Sequence, residues 1–186
     1  MFLKKTEGFS WMNEPGKWEE NEGKLIVRTR SKTDFWRRTH YGFIRDNGHF
    51  WYITQKGETE ISVKISGKYK DLYDQAGMML RIDDENWIKA GIEFVGGVQQ
   101  ASAVVTRKFS DWSVIALPDN PASLWIKAKK GSEDVEISYS TDSVNYHLLR
   151  LAYFPPSKEF FIGLMAASPE GVGFDVVFED FQISAI

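Results

Sequence analysis

Apolar and polar residues alternate with a period of two along most of this 186-residue chain, and turn-forming residues break the alternation at short intervals. The run Glu60-Ile61-Ser62-Val63-Lys64-Ile65 puts three β-branched apolar side chains on one face and polar ones on the other. Leu124-Trp125-Ile126-Lys127-Ala128-Lys129, Val135-Glu136-Ile137-Ser138-Tyr139 and Phe174-Asp175-Val176-Val177-Phe178-Glu179 repeat the pattern. Successive side chains of a strand point to opposite faces, so each run is a strand with one buried side. Ser66-Gly67, Gly96-Gly97, Lys130-Gly131-Ser132, Pro155-Pro156 and Ser168-Pro169-Glu170-Gly171 separate the runs as turns. No helix of three or more turns is predicted; Tyr69 to Gln75 has the pattern of one short turn. Many short strands with frequent turns define an all-β sandwich or barrel, predicted as one domain over residues 1–186.

The most informative stretch is the middle. As a strand, Trp87-Ile88-Lys89-Ala90-Gly91-Ile92-Glu93-Phe94 sends Ile88, Ala90, Ile92 and Phe94 to a core face. Its other face carries Trp87, Lys89, Gly91 and Glu93, about 7 Å apart in a row. The preceding run puts Ala76, Met78, Leu80 and Ile82 inward and Gln75, Gly77, Met79 and Arg81 outward. Asp83-Asp84-Glu85-Asn86 is the hairpin tip between the two strands, and residues 101–106 are predicted to pair next. Oxygen ligands for calcium cluster in that tip, but a solvated turn explains the same residues. Glycines at 77 and 91 are expected to leave room for something to approach the sheet.

Composition removes several classes of function. With 23 basic and 26 acidic residues the net charge is −3, which offers nucleic acid no concentrated basic face. The absence of cysteine excludes disulfides, thiol nucleophiles and cysteine-ligated metal centres. Three scattered histidines have no zinc spacing, and the phosphate-binding and nucleophile-elbow glycine motifs are missing. No cofactor or metal is expected. The start turns polar after three residues and no apolar run approaches the ~20 residues that span a bilayer, so a cytoplasmic protein without membrane association is expected.

Five segments, Thr33-Asp34-Phe35-Trp36, Thr39-His40-Tyr41-Gly42, Leu72-Tyr73-Asp74-Gln75-Ala76-Gly77, the run from Trp87 to Glu93, and Val105-Thr106 through Ser110-Asp111-Trp112-Ser113, occur in an order that resembles a known family. It is the regulation-of-enolase-like domain family of unknown function, in the concanavalin A-like lectin/glucanase superfamily. The resemblance extends from Phe9-Ser10-Trp11 to Phe178-Glu179-Asp180-Phe181. It implies a jelly-roll β-sandwich of two curved antiparallel sheets whose concave face often binds glycans in the wider superfamily, and it implies no known reaction. Ser140-Thr141-Asp142-Ser143-Val144-Asn145-Tyr146 resembles a superfamily hairpin with Ser143 in place of glycine and Tyr146 in place of tryptophan, a departure that touches turn geometry and packing.

The candidate ligand-binding floor is therefore Trp87, Lys89 and Glu93, with Gln75 and Arg81 beside it and Asp34, Trp36, Asp111 and Trp112 as rim. An aromatic platform stacks on a sugar ring while charged groups take its hydroxyls. The competing structural reading has Lys89 and Glu93 balancing each other, Trp87 packed under a loop, and Asp74 pinning backbone. Glycosidic hydrolysis needs two carboxyl groups, and the strand of Trp87 supplies only Glu93, beside a lysine expected to hold it ionised. A non-catalytic module for a carbohydrate or sugar-derived metabolite is the leading expectation. A glycan-active hydrolase or lyase using Glu93, and a module that binds another metabolic enzyme, are the alternatives.

Overall fold

The computed structural model describes residues 8–186, so residues 1–7, where the polar start was noted, lie outside it. Among the described residues the alternating runs form two seven-stranded sheets stacked as a sandwich. The first has the order β1 (Ser10–Met12), β6 (His49–Gln55), β15 (Phe160–Ala167), β8 (Gln75–Arg81), β9 (Asn86–Val95), β10 (Val98–Arg107) and β11 (Phe109–Ala116). The second runs β14 (His147–Tyr153), β13 (Asp134–Ser140), β12 (Leu124–Lys130), β7 (Thr59–Gly67), β16 (Asp175–Ala185), β3 (Lys24–Arg28) and β2 (Lys17–Asn21). β4 (Phe35–Arg37) and β5 (Ile44–Asp46) pair with each other as a separate hairpin. No helix of the described residues is long and apolar enough to cross a membrane.

The two-face reading of the central strands holds except at Phe94, which is half-buried and outside the core cluster. Ile88, Ala90 and Ile92 of β9, and Ala76, Met78 and Leu80 of β8, enter the core between the sheets, where they meet Ile61, Val63 and Ile65 of β7. The tip between β8 and β9 is closed by Asp83, whose Oδ1 accepts the backbone N–H groups of Glu85 and Asn86. Gly96 and Gly97, both at positive φ, turn β9 into β10. Ser143 takes φ +67°, the left-handed conformation that the superfamily's glycine would supply. Residues 69–75 form no helical turn. Asp74, fully buried, accepts the backbone N–H groups of Lys70 and Asp71 and the hydroxyl of Ser168, which ties this loop to the one after β15.

A second apolar cluster lies on the outer face of the first sheet. Phe35 and Trp36 of the β4–β5 hairpin pack down on Phe50, Met79, Trp87, Val104 and Met165. The hairpin is held by polar anchors. Arg81 grips Asp46 through two bonds of 2.6 and 2.7 Å, Arg37 bonds Glu85 at 2.8 Å, and Lys89 donates to the Phe35 carbonyl at 2.8 Å. The hairpin thus roofs part of the sheet's outer face, and the end at Glu93 stays open.

His49 secures the entry to β6. Its buried ring accepts the Arg30 N–H at Nε2 (2.9 Å) and pairs with the Asn13 carbonyl through Nδ1, an arrangement that needs the neutral imidazole. Burial, with a smaller contribution from the Arg30 charge, lowers its pKa below the usual 6.5. A base with a depressed folded-state pKa contributes stability that is complete above the unfolded value and is lost as pH falls below it. The urea midpoint is therefore expected to drop between pH 7.5 and 5.5 by more in wild type than in His49→Asn, at up to about 1.4 kcal/mol per pH unit. Parallel slopes for the two proteins would remove His49 from the explanation.

Candidate functional site

The open end of the outer face is a cleft of about 90 Å³. Trp36 and the loop behind it supply one wall, with Tyr41 and Phe43 stacked at 5.4 Å between ring centroids. Tyr73 and Trp112, edge to face at 6.3 Å, supply the other. Gln75, Lys89, Asp34 and Glu93 form the floor, and Arg45, Pro169 and Glu170 stand at the rim.

The floor follows from strand register. Gln75 of β8 and Glu93 of β9 are cross-strand partners, and Glu93 stands opposite Gln100 of β10, so these outward residues share one band across the sheet. Lys89, four residues before Glu93 on β9, bonds Gln75 Oε1 and lies 3.7 Å from Asp34 Oδ1. The same Asp34 oxygen accepts the Phe35 N–H at 2.8 Å and the Gln75 amide at 3.3 Å. Lys89 therefore has two duties, holding the hairpin's backbone at Phe35 and facing the cleft, while Gln75 joins Lys89 to Asp34.

Glu93 is only 8% exposed and accepts one hydrogen bond, from Ser102 Oγ at 2.8 Å. Ser102 is in turn bonded by the Trp112 indole N–H at 3.1 Å. Burial pushes the Glu93 carboxyl above the usual carboxylate range. Lys89 and the Ser102 bond oppose this, the Asp34 charge adds to it, and burial wins. Lys89 favours the ionised form of Glu93, as the sequence led us to expect, but burial outweighs it. Across the cleft, the bond between the Tyr41 and Tyr73 hydroxyls (2.9 Å) is the main reason the Tyr73 phenol is pushed up to about 12.

Six of the nine predicted residues line this cleft: Asp34, Trp36, Gln75, Lys89, Glu93 and Trp112. Three do not. Trp87 is 1% exposed beneath Phe35, with its ring 6.2 Å from that phenyl and its indole N–H without a partner. It is a packing residue under the hairpin, and a sugar cannot reach it. Arg81 spends its guanidinium on Asp46. Asp111 stands opposite Val105, whose side chain enters the inter-sheet core, so it points to the other face of β11 from Trp112, which stands opposite Val104. Adjacent strand residues cannot share a face, so Asp111 and Trp112 were never both available.

Gly77 and Gly91 also do something other than expected. They face each other across β8 and β9, and a void of about 10 Å³ near Met165 lies beside Gly91. What approaches closely is the neighbouring strand. Sequence reasoning missed Tyr41, Phe43, Arg45, Tyr73 and Glu170 as site residues. All sit in turns or on the short hairpin, outside any alternation, and Tyr73 needs a positive φ of 65° to reach its place.

A larger cavity, about 140 Å³, opens at the other end of the sandwich beside Trp51, Phe178 and Phe181. Of its charged lining, Glu179 pairs with Lys24 at 2.7 Å and with Lys64 beside the cavity at 3.0 Å. It lacks the convergent buried polar groups that mark a specific site.

The two antiparallel sheets are a concanavalin A-like jelly-roll sandwich. The chain belongs to the DUF1349 family, described as a protein of unknown function, whose model matches residues 11–186. Regulation of enolase protein 1 of Saccharomyces cerevisiae is 40% identical over 176 residues, which are 95% of this chain and 89% of the relative. The crystal structure of a functionally unknown protein from Saccharomyces cerevisiae superposes with a TM-score of 0.92 at 39% identity, over 97% of each chain. The carbohydrate binding module CBM66 from Bacillus subtilis has the same fold, with a TM-score of 0.60 at 12% identity over 96% of each chain.

Proposed function

We propose that this protein is a non-catalytic cytoplasmic module that binds a carbohydrate or sugar-derived metabolite in the cleft between Trp36 and Trp112, and that ligand occupancy regulates a metabolic enzyme. One observation carries the reading: aromatic walls and buried polar groups converge on a single cleft. Aromatic faces take the C–H face of a pyranose, and Gln75, Asp34 and Glu93 offer partners to its hydroxyls. The fold shared with a carbohydrate binding module supports the ligand class. The name of the yeast relative supports the regulatory part.

The test is a thermal-shift and calorimetry panel of mono- and oligosaccharides on wild type and Trp112→Ala. Trp112 is 39% exposed, so the variant is expected to fold. A ligand present at 100 times its dissociation constant adds about 2.7 kcal/mol to wild-type stability. Loss of the ring is expected to weaken binding about tenfold. A panel without a hit, on folded protein, would overturn the small-ligand reading.

The raised pKa of Glu93 favours one second reading. A carboxyl whose pKa burial has raised is better suited to act as a general acid than an ordinary one, and Asp34 lies in the same cleft as the second carboxylate. Release of reducing ends from a bound oligosaccharide, abolished in Glu93→Gln, would establish this reading in place of the first.

A further inference from the structure

We propose that the cleft selects a ligand bearing an ammonium group, a basic amino sugar, over neutral, phosphorylated or carboxylated sugars. This rests on the carbohydrate reading above and names the class within it.

The argument is one of charge pairing. Five charged side chains line the cleft: Asp34, Glu93, Glu170, Lys89 and Arg45. Four of them neutralise one another. Lys89 is 3.7 Å from Asp34, and its remaining donors go to the Phe35 carbonyl and Gln75 Oε1. Arg45 is 3.6 Å from Glu170 and lies over the Phe43 ring at 4.3 Å. Glu93 is left over. Among the described residues it has no ion-pair partner, and only its Oε2 accepts a hydrogen bond, so Oε1 is free to meet a donor from the cleft.

For a carboxyl more than nine-tenths buried, with no ion-pair partner among the described residues, burial disfavours the charged form, and an arriving ammonium favours that form by pairing with it. The walls suit the same visitor. Trp36, Tyr41, Tyr73 and Trp112 line the cleft, and aromatic rings grouped in this way bind ammonium groups elsewhere. An anionic sugar meets the opposite. Both cations of the cleft are already engaged, so a phosphate or carboxylate would face Glu93 without a free donor. A neutral sugar gains hydrogen bonds but gives the Glu93 carboxyl no ion-pair partner.

Calorimetry at low salt with four probes tests this: chitotriose with free amines, its fully N-acetylated form, neutral cellotriose, and glucose 6-phosphate. Tetramethylammonium serves as a cation without a sugar. Chitotriose is expected to bind about tenfold or more tighter than the acetylated and neutral trisaccharides, with no heat from the phosphate. Its affinity alone should fall as salt rises, a readout on wild type that needs no variant. Glu93→Gln, which keeps the Ser102 contact, should erase the preference, so that chitotriose and cellotriose bind this variant with equal affinity. Equal binding of amino and neutral sugars, or preference for the phosphate, overturns the ammonium inference and leaves the carbohydrate module standing. Binding of tetramethylammonium with no binding of any sugar overturns the carbohydrate reading and the amino-sugar assignment together, as does silence from every probe.

Discussion

Gly91→Ala is expected to cost about 3 kcal/mol or more, enough to leave the protein unfolded or nearly so under mild denaturant. A Cβ at Gly91 would lie 2.1 Å from the Ala76 carbonyl oxygen and 2.5 Å from Gly77 Cα. Both are backbone atoms of β8 in the middle of the first sheet, so no side chain can swing aside. Relief requires β8 and β9 to part, which breaks the ladder supporting Gln75, Lys89 and Glu93. Gly96→Asn is the control. Gly96 has a positive φ of 61° but open space around its Cβ position, and asparagine tolerates that conformation, so the loss should stay below about 1 kcal/mol. Urea denaturation of the two variants compares crowding with backbone strain. A Gly91→Ala midpoint equal to wild type would mean that the strands separate without cost.

Asp46→Ala should be much more damaging than Arg81→Met, although the two residues make the same pair. The Arg81 side chain is 5% exposed and that of Asp46 is 33% exposed. Removing the aspartate strands a buried guanidinium, a loss of about 3–5 kcal/mol, whereas removing the arginine leaves a carboxylate that water can reach. Methionine also refills the apolar volume of the arginine stem, and about 1–2 kcal/mol is expected for that variant. The double variant should cost less than the sum of the two. In Asp46→Ala the hairpin is expected to loosen first at β5, giving acrylamide access to Trp87. Equal losses for the two single variants, with Trp87 still shielded, would refute the anchoring role of the pair.

These two positions also mark how far the sequence could be read. Arg81 was correctly placed on the outward face of β8 by alternation, and Gly91 on the outward face of β9. What each side chain or missing side chain meets there was not legible, because the partners, Asp46 and the β8 backbone, come from other turns of the chain. The same limit explains Trp87. Its parity matched that of Lys89 and Glu93, yet the β4–β5 hairpin, some fifty residues earlier in the chain, covers it and stops short of Glu93. Glu93 itself was a candidate from the strand alone, but its raised pKa depends on burial, which outweighs the lysine.

Period-two alternation and turn chemistry by themselves determined the all-β class, the faces of β7 to β10 and the hairpin tips. These are local properties: the pleat alternates side chains whatever the rest of the chain does. The motifs in their order pointed to the family. Tertiary structure alone decided which part of the outer face is roofed and which polar groups converge. Those outcomes depend on contacts between residues far apart in sequence, and no pattern along the chain encodes the distance between Asp34, Lys89 and Glu93.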